Sequence, residues 1–349
     1  AKSPANTRII IMSATPMFDK PVELALTINL LRPKNKIPIN PEFNRMFLKS
    51  VVVNDYITYK AKNMDKLRSM LQGYISYYKG APEHTFPTKS IRYIRAKMSN
   101  YQYTIYKNAT KNEGKFTNSN VLELPNDFFI ASRAASNVCF GAQTKPTKRM
   151  LTDDLEKYSI KFYKILKAIK KSRQLNFVYS NFRGEYGIEA FVKALDANGF
   201  YDFGKHGPGK NRYAIWSGEE CLKLRENICA HYNLRENKNG DIIKVILGSP
   251  AIKEGVSLLR VRKVHILEPY WNMSRLEQII GRAVRFCSHK DMPKDEREVR
   301  IYYYIATDPN NKTNTIDKYI MNMAFSKNKL IGQFESVLKQ AAVDYYLFQ

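Results

Sequence analysis

At 349 residues, with 44% hydrophobic and 12% aromatic content, the chain is long enough for two domains and a sizeable core, which argues against a disordered or fibrous polypeptide. Its 57 Lys+Arg against 32 Asp+Glu give a net charge of +25, which calls for a polyanionic partner: nucleic acid first, an anionic membrane surface as the competing reading. No run of 18 apolar residues and no signal sequence occurs, so nothing is expected to insert in or cross a membrane, and the cysteines Cys139, Cys221, Cys229 and Cys287 lack the spacing of a zinc site and suit a reducing compartment.

In chain order, the first element is Arg8 to Met12 (RIIIM), whose β-branched apolar run reads as a buried parallel strand. It leads into Ser13, Ala14 and Thr15. Because the chain opens on Ala directly before this strand, a truncated or processed product is expected. Pro21 to Leu31 reads as a helix with Pro near its first turn. Residues 41–150 hold 18 Lys+Arg against 7 Asp+Glu, net +11, roughly twice the net charge density of the residues from 151 on, and tyrosines such as Tyr56, Tyr59, Tyr93 and Tyr106 are interleaved with the charge. Rings among cations suit stacked bases and phosphates, although tyrosines in helical regions also serve as core. Met64 to Tyr78 reads as helical, Asn108 to Asn120 as a mobile loop, and Gly141 to Arg149 as a linker, so this region is expected to be a mainly helical insertion ending near 150.

Beyond it, strands and helices alternate, the pattern of a parallel α/β sheet. A helix capped by Asp153 or Asp154 should run to about Ser172. The strand Leu175 to Ser180, the helix Gly187 to Asn198, a Gly-rich basic loop over Asp202 to Arg212, and a short strand over Ala214 to Ser217 follow. The helix Glu219 to Tyr232, the strand Lys244 to Gly248 opening into Ser249, Glu254 and Gly255, and the strand Val264 to Leu267 come next. Ser274 and Glu277 then form an S-x-x-E capping box, which predicts a helix start there. At about 100° per residue, Gln278, Arg282 and Arg285 fall at roughly 0°, 40° and −20°, while Leu276, Ile280, Ala283 and Val284 gather opposite. Two guanidinium forks on one face suit a polyanion, and Gly281 implies a close neighbour, since glycine gives up roughly 1 kcal/mol of helix propensity. Arg300 to Ala306 reads as a last strand and Thr315 onward as C-terminal helices packed on the sheet.

The spacing in QIIGRAVR resembles the last motif of superfamily 2 helicases and translocases. The wider stretch EGVSLLRVRKVHILEPYWNMSRLEQIIGRAVRFC is closer still to helicase-like proteins of large cytoplasmic DNA viruses, the group that includes the poxvirus early transcription factor helicase subunit and nucleoside triphosphate phosphohydrolase I. The S-A-T triplet, Ser180 at a strand end, and Ser249 with Glu254 and Gly255 resemble further motifs of the same family. The resemblance implies the end of a first RecA-like domain over 1–40, the basic insertion over 41–150, a second RecA-like domain over 151–310 and packed helices over 311–349. By the same likeness, Arg282 and Arg285 act as arginine fingers on ATP, Gln278, Glu254, Gly255 and Gly281 line the nucleotide cleft, and Ser13, Thr15, Ser180 and Ser249 touch a DNA or RNA backbone. No G-x-x-x-x-G-K-[ST] phosphate loop or D-E-x-[HDN] motif occurs in these residues, so ATP and Mg²⁺ would be held mainly by an upstream half, and this chain alone should not hydrolyse ATP. The likeness further implies viral polymerase or transcription-factor partners and a place in the virion and host cytoplasm. An ATPase-inactive nucleic-acid-binding subunit and a virion component remain as alternatives.

Overall fold

The computed structural model describes Pro4 and residues 7–78, 80–116, 118–125, 127–140, 145–253 and 256–348. Helix α1 (Val22–Ile28) and α2 (Asn40–Phe47) come first, α2 burying Phe43 and Phe47 behind a proline in its first turn. Strands β1 (Leu48–Val53) and β2 (Tyr56–Ala61) form an antiparallel hairpin in register Val53↔Tyr56 through Leu48↔Ala61. Its two-residue turn, Asn54 and Asp55, has φ of 46° and 65°, the left-handed pair that matches strand twist. Helix α3 (Met64–Leu71) precedes β3 (Thr88–Lys97), and α4 (Asn100–Glu113) begins where the Ser99 hydroxyl accepts the Gln102 amide. The two-residue β4 (Ser119–Asn120) pairs with β2, and α5 (Ile130–Asn137) follows.

The remaining elements are the single turns α6 (Lys148–Leu151) and α7 (Leu155–Tyr158), then α8 (Ile160–Lys171), β5 (Leu175–Tyr179), α9 (Ile188–Ala197) and β6 (Tyr201–Asp202). After α10 (Phe203–His206) come β7 (Arg212–Trp216), α11 (Leu222–Tyr232), β8 (Val245–Gly248), β9 (Val261–Ile266), α12 (Met273–Ile280), β10 (Glu298–Thr307) and α13 (Ile316–Gln340). Seven strands build one all-parallel sheet in the order β3-β10-β9-β5-β8-β7-β6. Every residue of β5 and β8 is buried, because helices cover both faces: α8 and α9 pack Phe162, Ile165 and Phe191 on one side, α11 and α12 pack Ile228, Leu276 and Ile279 on the other. This is the α/β parallel sheet expected of a RecA-like domain.

Three expectations are corrected. RIIIM is not a buried strand: among the described residues nothing pairs with it, and Ile10 and Met12 are 85% and 91% exposed. An apolar run becomes a strand only where another strand takes its amides, so pattern alone could not make it one. The stretch 41–150 is not mainly helical either. It holds the hairpin and β3, which crosses the expected boundary to become the outer strand of the large sheet, its ten residues in register with β10. The long helix expected over 153–172 is broken at Ser159, whose hydroxyl caps α8 by accepting the Phe162 amide. Helix α4 occupies part of the loop expected over Asn108 to Asn120, and 141–144 of the expected linker lie outside the described residues. Helix α13 bridges the two halves, with Tyr319, Phe334 and Val337 in the core of the hairpin region and Met321 and Ala324 against the sheet.

Candidate functional site

Parallel strands present their carboxyl ends together, and Ser180 and Ser249 lie at those ends, whereas α12 carries Arg282 and Arg285 back to the amino end of β9, where the Arg282 carbonyl meets Leu258. Strand β5 runs into Ser180, β8 into Ser249, and β9 into Leu267 and Glu268, which lead to the loop before α12. Helix α12 starts two residues earlier than the capping box predicts. Its cap is Asn272, whose Oδ1 accepts the Arg275 amide at 3.0 Å. Asparagine caps as well as serine, and this start places Met273, Leu276, Ile279 and Ile280 in one buried stripe.

The helix also ends earlier, at Ile280. The Gly281 amide still bonds four residues back to Glu277, but those of Arg282 and Ala283 reach only three back, to Ile279 and Ile280, so the chain tightens into successive turns. Gln278, Arg282 and Arg285 therefore do not share one helical face. Nor does a neighbouring element crowd Gly281, where an added Cβ would meet the Glu277 carbonyl at 3.2 Å. The turn is instead tied sideways: the Arg282 carbonyl accepts the Leu258 amide at 2.8 Å, and the Arg285 guanidinium donates to the Ser257 hydroxyl at 2.5 Å. Arg285 is exposed, and Arg282 and Gln278 are half-buried. The Arg285 charge is thus held open to solvent beside the segment that follows β8. Glu254 and Gly255, in that same segment, lie outside the described residues.

Ser180 is different. It is fully buried, its hydroxyl donates to the Glu268 carboxylate at 3.0 Å, and it accepts the Phe182 amide. Glu268, 1% exposed, also takes the Asn181 amide and the Asn137 side chain. Burial pushes its carboxyl pKa up, against the pull of Lys161, the Asn181 amide and Arg133. Behind it, Lys161 pairs with Asp317 at 2.5 Å, and Asp317 accepts further from Ser136 and the Ala306 amide. A backbone contact to nucleic acid through the Ser180 hydroxyl is therefore corrected to a structural role, because that hydroxyl is spent inside the protein. Ser249 is 4% exposed and likewise offers almost no surface. Ser13 and Thr15 are exposed, and the Thr15 amide donates to the Ser13 hydroxyl at 3.1 Å.

Sequence reasoning missed Asn272, Ser257, Glu268 and Asp19. Asn272 carried a readable signal, being a good cap residue one position before a buried methionine. Asp19 becomes visible only in three dimensions, where its carboxylate meets Asn272 and Lys327. The loops after β5 and β7 are joined by an exposed ion pair between Arg183 and Glu219, and Arg133 lies under Phe182 and Trp271 with ring distances of 5.0 and 4.9 Å. Among the described residues, no group of three or more His, Cys, Asp or Glu side chains is placed to hold a metal ion.

Comparison with known proteins follows the same outline. Residues 216–287, from the end of β7 through the arginine turn, match the helicase conserved C-terminal domain. The chain is 43% identical to "Putative ATP-dependent RNA helicase R563" of Acanthamoeba polyphaga mimivirus, over 99% of this chain and 62% of that protein. It is 28% identical to "Putative helicase 087L" of Invertebrate iridescent virus 3, over 99% and 36%. With the "Termination factor NPH-I homolog" of African swine fever virus, isolate Warthog/Namibia/Wart80/1980, identity is 26% over 97% and 58%. The chain thus spans less than two thirds of the length of each of these three relatives. Among solved structures, the C-terminal part of the Fun30 ATPase domain is 14% identical, with a TM-score of 0.48, over 73% of this chain and 98% of that one.

Proposed function

Since this chain carries a helicase C-terminal domain and is homologous along its length to viral proteins described as helicases and NPH-I homologues, we propose that it is the carboxy-terminal part of a superfamily 2 nucleic-acid-dependent ATPase. Arg282 and Arg285 complete an ATP site whose phosphate loop and Mg²⁺ ligands lie in a segment outside this chain. The observation that carries the reading is the arginine turn itself: two permanent cations beside the amino end of β9, backed by a buried stripe and tied to Ser257 and Leu258 of the segment that follows Ser249.

Guanidinium groups suit this place because their N–H forks match phosphate oxygens and keep their charge at any working pH. Their part is electrostatic: they offset charge on the transferring phosphoryl group, an effect typically worth about 10³ to 10⁵ in rate. Gln278, four residues before Arg282, is half-buried near the end of α12. The exposed Ser13 and Thr15 are better placed than Ser180 or Ser249 to meet a nucleic-acid backbone, and the net +25 supplies the long-range attraction. Action in viral transcription or genome handling, with polymerase or transcription-factor subunits as partners, goes with this reading.

The test is nucleic-acid-stimulated ATP hydrolysis by the longer gene product that includes the phosphate loop, beside its Arg282→Ala variant and the 349-residue chain. The expected outcome is hydrolysis only by the longer protein, reduced at least about a hundredfold in Arg282→Ala. A longer protein that binds nucleic acid with strong salt dependence yet hydrolyses nothing overturns the motor and leaves an ATPase-inactive binding subunit.

A further inference from the structure

Within four residues of Thr15 the exposed amino-terminal segment becomes anchored. Met17 is buried, and the amides of Phe18 and Asp19 both donate to the Glu23 carboxylate, at 2.6 and 3.0 Å, which fixes the turn ahead of α1. The Asp19 carboxylate then reaches two distant elements with one oxygen. It accepts from Lys327 Nζ of α13 at 2.5 Å and from Asn272 Nδ2 at 3.0 Å. The Lys327 side chain is 4% exposed, and burial lowers its pKa while Asp19 raises it.

Asn272 is the cap of α12, and both ends of its amide are in use: Nδ2 donates to Asp19 while Oδ1 accepts the Arg275 amide. A flipped amide would set its oxygen against a carboxylate and its NH₂ against a backbone N–H. Asp19 therefore selects the orientation in which Asn272 can cap. From that cap, α12 runs eight residues, about 12 Å at 1.5 Å per residue, to Gly281 and the arginine turn, which Leu258 and Ser257 hold at the far end. One hydrogen bond and one short helix thus connect the Ser13–Thr15 segment to Arg282 and Arg285.

We infer that Asp19 is a positioning residue for the arginine turn: by orienting the Asn272 cap, it sets where α12 delivers Arg282 and Arg285 relative to the segment carrying Ser13 and Thr15. Its consequence for hydrolysis rests on the function proposed above; the mechanical link does not. The competing role for Asp19 is simply to neutralise Lys327.

Two double variants separate these roles. Asp19→Asn/Lys327→Met and Asp19→Ala/Lys327→Met both remove the ion pair as a unit, but only the first keeps an acceptor for Asn272. Amide hydrogen exchange in the 349-residue chain should be about fivefold faster, or more, at Arg275 and at Leu258 in the Ala variant than in the Asn variant, with the sheet strands exchanging alike. Equal exchange in the two variants, acceleration confined to Arg275, or uniform acceleration throughout the chain overturns the proposal. In the longer gene product, the Ala variant should lose about tenfold or more in kcat at unchanged KM for ATP, with the Asn variant close to the parent. Unchanged kcat in the Ala variant overturns the link to the arginine turn. If the parent hydrolyses no ATP, the proposed function fails while the exchange comparison still decides the position of Asp19.

Discussion

Two charged clusters in this protein are built on opposite principles. Lys161, Asp317, Ser136, Asn137, Ser180 and Glu268 form a sealed cluster between α5, α8, α13 and the ends of β5 and β9, where Lys161 and Asp317 are at most 1% exposed and each charge meets a partner within the chain. Arg285 of the arginine turn is the reverse. Arg285 is exposed, and its guanidinium rests on one hydroxyl and one carbonyl, those of Ser257 and Val256. Charge that is matched internally holds elements in place and has nothing to offer a ligand; charge met as that of Arg285 is, by one hydroxyl and one carbonyl oxygen, keeps its field for one. Ser180 shows how narrow the division is, since a strand-end hydroxyl that could face a ligand has been enlisted by the sealed cluster.

The largest effect should come from breaking the sealed side. Lys161→Met leaves the Asp317 carboxylate buried without its cation and should lower unfolding stability by about 3–5 kcal/mol in urea, with most of it regained in Lys161→Met/Asp317→Leu. A cost under about 1 kcal/mol would show that water reaches the cluster and that the contrast is false. Next in size, Ser180→Ala takes a donor from Glu268 and an acceptor from Phe182, costing about 2 kcal/mol while nucleic-acid affinity stays as in the parent. Weaker binding at unchanged stability would move Ser180 back to the open side.

A smaller, graded effect extends the sealed region into the sheet. His265 on β9 is fully buried, with Nδ1 2.9 Å from the Tyr304 hydroxyl and Nε2 3.2 Å from Asn176 Oδ1, and burial lowers its pKa to about 3. Between that value and the ordinary histidine value near 6.5, the unfolded chain binds more protons than the folded one. Stability from this group is therefore complete above about pH 6.5 and is lost on acidification, at about 1.4 kcal/mol per pH unit, until the folded form itself protonates. Urea midpoints measured from pH 7 to pH 5 should fall more steeply for the parent than for His265→Gln, and equal slopes would place the proton elsewhere.

Legibility differed by element. Strands β5, β8, β9 and β10 and helices α9, α11 and α13 were readable to within a few residues, because apolar runs and helical periodicity report burial directly. The β1–β2 hairpin went unread although Asn54-Asp55 between two β-branched runs was a usable turn signal. Strand β3 could not be read at all: Thr88–Lys97 is charged and largely exposed, and it is a strand because β10 supplies a full ladder of partners. The arginine motif was recognised from spacing, but its geometry was not, since an ideal 100° wheel takes no account of Gly281 ending the helix or of Leu258 claiming the Arg282 carbonyl.

Sequence by itself determined the alternating α/β sheet, the basic charge and the arginines beside a strand end, since periodicity, net charge and local spacing are written along the chain. Tertiary structure alone decided which polar groups are spent and which stay open: that Glu268 takes Ser180, that Asp317 takes Lys161, and that Asp19 reaches across some 250 positions to cap-residue Asn272. Those pairings depend on desolvation and on partners far apart in sequence, and a buried polar group acquires its meaning only from the partner that satisfies it.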